Sequence, residues 1–396
     1  MADKPYYPFK SIGSISSLAR TLGVNPRILI DISEKAGDSY TEIQIKDKSD
    51  KYRIVYDPKH ELKIIQKRIN SRIFEKVEYP RYLQGSLKDE IQKRDYVENA
   101  RLHSGAKTIT RLDIKRFFDS IRPSYVKDIF LYLFKFPEDV SEVLTKLLTF
   151  RGKVPQGACT SSYLANLIFF NSEYSLVSRF RSKGYVYSRL LDDITISSKS
   201  SLNEEEISNI ISSTVGMFKK YGLKSNNKKK AIEHYEPLKN NPLSFKITGV
   251  WASHSGPKIR KKDRRYVRQM VFECEKLYKI CSHSEEYHKI WNKTSGLVAQ
   301  LKRMDHKQSA SLRNRLSSIL PIYDDNQKNN LLMQVAKCLK TNDRARNKYG
   351  LSVKLGRIHH QINILSRTEK LLAKSLRRQL NKRFPNIPSK KEYWHE

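Results

Sequence analysis

Cysteine is scarce in this chain of 396 residues, and its few cysteines follow no pairing pattern. The four cysteines are Cys159, Cys274, Cys281 and Cys338. Since no two of them have CxxC spacing, we predict no disulfide framework and expect a reducing compartment, the cytoplasm. Cys274 and Cys281 lie near His283 and His288 in sequence, but these residues do not form two ligand pairs at zinc-binding spacing. We interpret them as buried cysteines and surface histidines.

Long apolar runs are also missing. No segment approaches the roughly 20 apolar residues that a membrane-spanning helix requires, and residues 1–10 lack the apolar core of a signal peptide. The sequence contains neither an internal repeat nor a low-complexity tract. We therefore expect a cytoplasmic protein with no membrane partner, long enough to form two or three packed units.

Acidic residues are in short supply. The chain has 41 Asp and Glu against 76 Lys and Arg, a net charge of +35 at pH 7. Such an excess repels itself unless it meets an anionic partner, either nucleic acid or an anionic membrane surface, and the lack of long apolar runs favours nucleic acid. The excess is uneven, because residues 251–396 carry 33 basic and 12 acidic side chains, a net charge of +21. The acids are concentrated before residue 251, where the candidate chemistry lies.

Hydrophobic periodicity predicts helices and strands in alternation. Residues 1–45 contain short helical patterns, residues 40–56 alternate like a two-stranded ribbon, and Pro58 is predicted to start a helix. Thr160–Ser162 is predicted to cap a long apolar helix, and the chain after Pro257 has a helical pattern. Strands are predicted at 108–114, Tyr185–Arg189, Ile194–Ser197, 229–234 and 244–252, and further helices at Pro123–Lys135, Glu138–Leu148 and 203–221. This order predicts an α+β fold with acidic residues at strand ends beside a hairpin.

Three acidic residues are placed for metal-dependent phosphoryl transfer. Asp113 ends a predicted strand, next to the backbone carbonyl of Ile114, and Asp192 and Asp193 occupy the predicted hairpin turn. Transfer of a nucleotide requires two divalent cations, which prefer carboxylate ligands. A solvated Asp-Asp turn is the alternative. The buried β-patterns on both sides of the pair favour the metal site, because adjacent acids repel each other unless a cation is bound.

Five segments resemble the motifs of bacterial reverse transcriptases, in family order and at family spacing. They are LDIKRFFDSI at 112–121 (motif A), VPQGACTSSYLANL at 154–167 (motif B), YSRLLDDITIS at 187–197 (motif C), Gly222–Lys230 (motif D, with Asn226) and ITGV at 247–250. Two shorter segments resemble the retron branch, NARLH at 99–103 for NAxxH and Ile247–Gly249 for VTG. The resemblance covers roughly residues 45–260. Motif C departs from Tyr-x-Asp-Asp with Leu190 and Leu191, and Ala158-Cys159 and Ser162 replace the prolines and serine of motif B.

The resemblance implies a right-hand polymerase with fingers, a palm built on an antiparallel sheet, a helical thumb and a basic helical C-terminal extension. We accordingly expect an N-terminal helical segment at 1–45, fingers and palm at 46–255, a thumb at 256–330 and the extension at 331–396. Asp113, Asp192 and Asp193 are implied to be catalytic and, with the Ile114 carbonyl, to bind two Mg²⁺ ions.

The resemblance also implies residues that contact substrates. Those expected to bind the incoming nucleotide are Lys51, Arg53, Phe118, Gln156, Gly157 and Lys229. Phe118 would exclude a 2′-hydroxyl and so select deoxynucleotides, with a core phenylalanine as the alternative. Those expected to bind nucleic acid are Asn99, His103, Arg260, Lys261, Lys262, Arg264, Arg265, Arg377 and Arg378. The alternative to nucleic-acid binding by the basic runs is a solvated helix face. The alternative to nucleotide binding by Lys51 and Arg53 is that they are solvated charges of the ribbon.

The implied reaction is RNA-templated DNA synthesis from dNTPs. A structured non-coding RNA would be template and partner, a DNA product and an RNA–DNA duplex would follow, and the setting would be bacterial anti-phage defence, with an effector protein as a further possible partner. Two alternatives stay open on the sequence. One is a defence reverse transcriptase outside the retrons, with protein priming or no primer. The other is an RNA-binding maturase or scaffold with a vestigial polymerase.

Overall fold

A computed structural model describes residues 3–46, 50, 52–227, 230–234, 245–253, 256–342, 349–385, 387–388 and 392. The chain divides into an N-terminal unit, Met1–Lys258, and a C-terminal unit, Ile259–Glu396. The four domain boundaries expected from the sequence remain predictions. Within the described part of the chain, no helix is both long and apolar enough to cross a membrane.

The N-terminal unit begins with two short helices and a ribbon. Helix α1 (Ile15–Leu22) is capped by the Ser14 side chain, and α2 (Pro26–Glu34) is capped by Asn25. Strands β1 (Tyr40–Lys46) and β2 (Tyr52–Pro58) then pair antiparallel, as the alternating pattern predicted.

The predicted helix start at Pro58 is wrong. Pro58 ends β2 opposite Tyr40, and helix α3 (His60–Arg72) begins two residues later. A proline is tolerated at the end of an edge strand, where its missing N–H interrupts no ladder.

Seven further α-helices follow among the described residues of this unit. They are α4 (Tyr96–Leu102), α5 (Phe117–Ser120), α6 (Pro123–Asp128), α7 (Glu138–Leu148), α8 (Ser161–Leu167), α9 (Glu173–Ser182) and α10 (Glu204–Lys220). The predicted helix Pro123–Lys135 is α6 followed by a π-helical turn, Ile129–Leu133. The predicted cap of α8 is not formed, because Thr160 has helical backbone angles (φ −90°, ψ −19°) and not the extended ones of a capping residue, and its buried hydroxyl has no hydrogen-bond partner. Helix α8 is also shorter than its apolar sequence suggested.

A five-stranded sheet, called here the central sheet, crosses the N-terminal unit. Its strands are β3 (Leu83–Gln84), β4 (Thr108–Asp113), β5 (Val186–Leu190), β6 (Asp193–Ser198) and β7 (Ala231–His234), in the order β3-β5-β6-β4-β7. Four strands pair antiparallel, but β3 runs parallel to β5. The expected antiparallel sheet is therefore a mixed one. Parallel pairing is possible because a long crossover, including α4 to α9, connects β3 to β5.

A second sheet contains β8 (Phe245–Ile247), β9 (Val250–Ser253) and β10 (Gly256–Lys258). The strand predicted over 244–252 is thus a hairpin, turning at Thr248 and Gly249, whose φ angles are 47° and 87°. The Thr248 hydroxyl donates to the carbonyl of Tyr96, so this hairpin is tied to the first residue of α4. Helical structure begins after β10 and not directly after Pro257.

The C-terminal unit is helical. Its helices are α11 (Lys261–Cys281), α12 (Glu285–Arg303), α13 (Ser309–Ser317), α14 (Asp325–Leu339), α15 (Tyr349–Leu365) and α16 (Lys370–Arg383). Two separate apolar clusters hold it together, one among α11 to α13 around Val271 and Leu316, the other among α14 to α16 around Ile362 and Leu380. Cys274 and Cys338 are buried in these clusters with free thiols.

Candidate active site

The three acids predicted from the sequence meet at one end of the central sheet. Asp113, the last residue of β4, stands directly opposite Asp193, the first residue of β6. Opposite residues of an antiparallel pair place their side chains on the same face of the sheet. The backbone N–H of Ile114 donates to the carbonyl of Asp192 at 3.0 Å, which joins the end of β4 to the hairpin turn. Residues from distant parts of the chain are thereby brought together at one end of the central sheet.

Asp113 is 8% exposed, and its carboxylate is oriented by a residue outside the predicted site. The Asn226 side-chain amide donates to Asp113 Oδ2 at 2.9 Å, and the Asn226 backbone N–H donates to the Asp113 carbonyl at 2.8 Å. Lys115 N–H likewise donates to the Lys224 carbonyl. The segment after α10 therefore runs beside the end of β4. Motif D contained Asn226, but the sequence did not indicate which residue it would contact.

The donor set suits a hard divalent cation. It consists of carboxylates and a backbone carbonyl, all oxygen ligands, at a partly exposed end of the central sheet. Among the residues that the structure describes, no three His, Cys, Asp or Glu side chains are grouped closely enough to enclose an ion by themselves. Carboxylates without a cation repel each other, and Mg²⁺ generally takes one or two of them and completes its shell with water and phosphate oxygens. The residues thus fit a site that the nucleotide would help to complete.

The hairpin turn itself is tightly packed on one side. Leu190, which stands where the family has tyrosine, lies against Gly85, at the end of β3. A methyl group added to Gly85 would come within 2.4 Å of Leu190 Cδ1, and Gly85 has a φ of +88°. Gly85 therefore leaves the space that a branched leucine occupies beside the acids.

Comparison with known proteins agrees with this geometry. The family described as reverse transcriptase (RNA-dependent DNA polymerase) matches residues 45–252. The chain is 42% identical to the retron Se72 reverse transcriptase of Salmonella heidelberg (strain 579083-10), over 96% of this chain and 98% of that protein. It is 32% identical to the retron Ec48 reverse transcriptase of Escherichia coli, over 81% of this chain and 79% of that protein.

This chain belongs to the retron-type bacterial reverse transcriptases. Its enzymatic activity is accordingly RNA-dependent DNA polymerisation, and its family generally uses a divalent metal. Among solved structures, telomerase from Candida albicans aligns with a TM-score of 0.40 and 12% identity, over 89% of this chain and 65% of that chain.

In the reverse transcriptase, two of the predicted nucleotide-binding residues are joined to the ribbon. The Tyr56 N–H donates to the Gln156 carbonyl at 2.8 Å. Gly157 has a φ of +111°, and a Cβ there would lie 3.1 Å from Val55 Cβ and 3.2 Å from the Tyr56 carbonyl oxygen. Glycine is thus required for the loop to approach β2, the strand that carries the exposed side chain of Arg53.

Motif A is joined to the same loop. Lys153 Nζ donates to Asp119 Oδ1 at 2.6 Å, and the Val154 N–H donates to the Ile121 carbonyl at 3.3 Å. Phe118 is partly exposed, and its ring centroid lies 5.9 Å from that of the buried Phe117. Lys51 and Lys229, the other two expected nucleotide ligands, lie outside the described residues.

Asn99 and His103 are buried, at 0% and 1% exposure, which corrects the expectation that they contact nucleic acid. The His103 ring nitrogens lie 2.7 Å from the hydroxyl oxygens of Ser197 on β6 and Ser188 on β5. Burial lowers the pKa of His103 to about 3, so the ring is neutral at physiological pH. His103 therefore links two strands of the central sheet.

The basic residues expected to bind nucleic acid are on helices of the C-terminal unit. Lys261, Lys262 and Arg265 are exposed at the start of α11, where Arg260 forms an ion pair with Asp263 and Arg264 is partly buried. On α16, Arg378 is exposed and Arg377 donates to the Asn363 side chain. Their contact with nucleic acid stays a prediction.

Proposed function

We propose that this reverse transcriptase copies a structured non-coding RNA into DNA at a two-Mg²⁺ site formed by Asp113, Asp192, Asp193 and the Ile114 carbonyl. The observation that carries the proposal is the direct cross-strand pairing of Asp113 with Asp193. The resemblance to retron enzymes supports the RNA template, and the net charge of +35 suits a protein that holds an RNA–DNA duplex. A role in bacterial anti-phage defence, in the cytoplasm and with an effector protein as partner, is part of the same proposal.

Groups of the protein position the acidic residues before the cations bind. When bound, the two cations lower the pKa of the attacking hydroxyl group and stabilise the leaving pyrophosphate. Asn226 donates to one oxygen of Asp113, and Asp113 is paired with Asp193 across the ladder. The Ile114 N–H donates to the Asp192 carbonyl, which links the turn to the end of β4.

The incoming dNTP is proposed to lie among Arg53, Phe118 and the Gln156-Gly157 loop. Hydrogen bonds join this loop to β2 and to the residue after α5. The residues proposed to contact the base, the sugar and the phosphates of the dNTP are therefore linked to one another. The Phe118 ring packs on Phe117, which restricts its movement. A ring fixed there would collide with a 2′-hydroxyl and favour deoxynucleotides. We expect Phe118→Ala to incorporate ribonucleotides readily, and unchanged ribonucleotide use would contradict this placement.

The right-hand architecture is proposed by analogy with the family. The central sheet would be the palm, and the ribbon with the helices around it would be the fingers. Residues 256–330 would form the thumb and residues 331–396 the basic extension. The exposed cations Lys261, Lys262 and Arg265 on α11, and Arg378 on α16, would contact the duplex backbone, which supplies affinity without reading sequence.

The test is dNTP incorporation on an RNA template by the wild type, Asp192→Asn and the control Asp139→Asn, an exposed acid at the start of α7. We expect incorporation by the wild type and the control and almost none by Asp192→Asn. Equal incorporation by all three would refute the proposed site. Sequencing the RNA that copurifies with the enzyme, and the DNA made in cells, tests the template. A heterogeneous RNA with no shared structure would contradict a dedicated non-coding RNA.

A further inference from the structure

Among the residues that the structure describes, the largest fully buried side chain is a cation, Arg189, on β5 just before the turn that carries Asp192 and Asp193. Its guanidinium makes five hydrogen bonds. The acceptors are the Glu173 carboxylate oxygens at 2.6 and 2.8 Å and the carbonyls of Ala165 at 2.9 Å, Asn166 at 2.9 Å and Leu191 at 3.2 Å. Such a group is too costly to bury unless it is paired and hydrogen-bonded.

Glu173 balances the charge of Arg189 from the first turn of α9, and it is 2% exposed. It also accepts a hydrogen bond from the Tyr187 hydroxyl at 2.7 Å. The Phe169 ring lies beneath the guanidinium, 5.1 Å from ring centroid to Cζ. The ion pair thus joins α9 to β5 without leaving a net charge in the interior. Pairing with Glu173 explains how the charge of Arg189 is buried, but it does not explain why the guanidinium also donates to three backbone carbonyls.

One of those carbonyls belongs to the turn that carries two of the acids. Leu191 directly precedes Asp192, and it has a φ of +60°, a left-handed conformation that is unfavourable for a leucine. Strained backbone of this kind persists where the surroundings hold it in place. Arg189 holds it from one side through the Leu191 carbonyl, and the Ile114 N–H holds it from the other through the Asp192 carbonyl.

The geometry points to Arg189 as a positioning residue. We propose that it fixes the strained Leu191 turn against the C-terminal end of α8, and so presents the carboxylates of Asp192 and Asp193 in the arrangement that binds the cations. This inference rests on the proposed metal-binding role of those acids. Arginine is required because its planar group offers five donors to five acceptors, whereas lysine has three donors.

The alternative is that the buried pair matters for folding alone. The two roles separate in the double variant Arg189→Met/Glu173→Gln. It removes both charges together, a change that is often tolerated in protein interiors, whereas removing one partner leaves a buried charge unpaired. Glutamine retains an acceptor for the Tyr187 hydroxyl. The double variant lacks the hydrogen bond to the Leu191 carbonyl, so folding and catalysis need not change together.

A matched control exists in the same unit. Arg94 pairs with Asp89 at 2.8 Å and donates to the carbonyls of Tyr79, Pro80 and Leu83, and none of these hydrogen bonds involves the turn at residues 190–193. The control variant Arg94→Met/Asp89→Asn therefore removes a similar network elsewhere. The measurements are thermal unfolding, dNTP incorporation, and Mn²⁺ binding followed by electron paramagnetic resonance, a readout that does not require turnover.

We expect Arg189→Met/Glu173→Gln to melt close to the Arg94 control, to incorporate dNTPs about 100-fold more slowly than wild type, and to bind Mn²⁺ roughly 10- to 100-fold more weakly. Wild-type incorporation and Mn²⁺ binding in this variant would overturn the proposal.

If the double variant does not fold, the variant Arg189→Lys distinguishes the positioning role from a role in folding alone, because it keeps the buried charge. Slow incorporation with a wild-type melting temperature supports positioning, and unchanged incorporation overturns it. Failure of the proposed function looks different, because Asp192→Asn would then be as active as wild type.

Discussion

Asp113 and Asp193 are directly opposite each other at the end of the β4–β6 ladder. Like charges opposite each other in a ladder destabilise a sheet by up to about 1 kcal/mol. We expect Asp193→Asn to lower the rate of dNTP incorporation about 10³-fold, since a cation ligand contributes several kcal/mol to the transition state. Its free energy of unfolding should stay within about 1 kcal/mol of wild type. Primer extension and urea denaturation test this, and a large loss of stability would show that the acid serves the fold.

The buried His103 predicts a pH dependence of stability. Its pKa is lowered from 6.5 to about 3 in the folded protein, so the unfolded chain binds a proton that the folded chain does not. The contribution of His103 is complete above pH 6.5 and declines as the pH falls from 6.5 towards 3, by up to about 1.4 kcal/mol per pH unit.

The variant His103→Gln separates this effect from the titration of the acids. It should be about 1–3 kcal/mol less stable than wild type at pH 7, because the serine hydroxyls lose their partner. The difference should shrink at pH 6 and pH 5. Urea denaturation at the three pH values measures it, and parallel curves for the two proteins would refute the assigned cause.

Gly157 predicts an effect on nucleotide binding. In Gly157→Ala the new methyl group meets Val55 Cβ and the Tyr56 carbonyl at 3.1 and 3.2 Å, and φ is +111°. The ribbon must move away from the Gln156 loop, so we expect KM for dNTPs to rise about tenfold, which corresponds to about 1.4 kcal/mol. Gly152→Ala is the control, because its φ is +72° and nothing lies within 4 Å of an added Cβ. An equal KM change in both variants would assign the effect to backbone strain alone.

The exposed cations at the start of α11 predict a change in salt dependence. The triple variant Lys261→Gln/Lys262→Gln/Arg265→Gln should bind RNA–DNA duplexes more weakly, with similar losses for unrelated sequences. The slope of log K against log salt should become less steep by about 2, since each phosphate contact contributes about 0.7–0.9. Lys35→Gln/Lys183→Gln/Lys219→Gln, three exposed lysines of the N-terminal unit, is the control. Identical slopes for both triple variants would contradict a contact at α11.

Local sequence patterns predicted the ribbon and the strands that hold the acids. The alternation in residues 40–56 gave the ribbon, and the strands on either side of Leu190–Asp193 pair as a hairpin. These patterns succeed because side-chain alternation and turn residues act over a few positions. The prediction of a side-chain cap for α8 was wrong, because a residue type alone does not fix the backbone conformation. Thr160 has a suitable side chain, but its backbone is helical (φ −90°, ψ −19°) where a capping residue is extended, and its hydroxyl has no partner.

Pairing between strands that are distant in the chain could not be predicted from the sequence. Nothing in Leu83–Gln84 indicates a strand, and its parallel pairing with β5 depends on a crossover that only the folded chain reveals. Asn99 and His103 match a family element, yet a motif does not say whether its side chains face solvent or the interior. Packing of α4 on the sheet buries them.

By itself the sequence determined the chemistry that is available: three acids at strand ends, a large basic excess, and motifs that mark a reverse transcriptase. Tertiary structure decided how those acids are held. The Asn226 amide on the Asp113 carboxylate, and the Ile114 N–H on the Asp192 carbonyl, are contacts between residues distant in the chain. Such contacts follow from the packing of whole elements, because the position of each donor depends on every strand and helix between it and its acceptor.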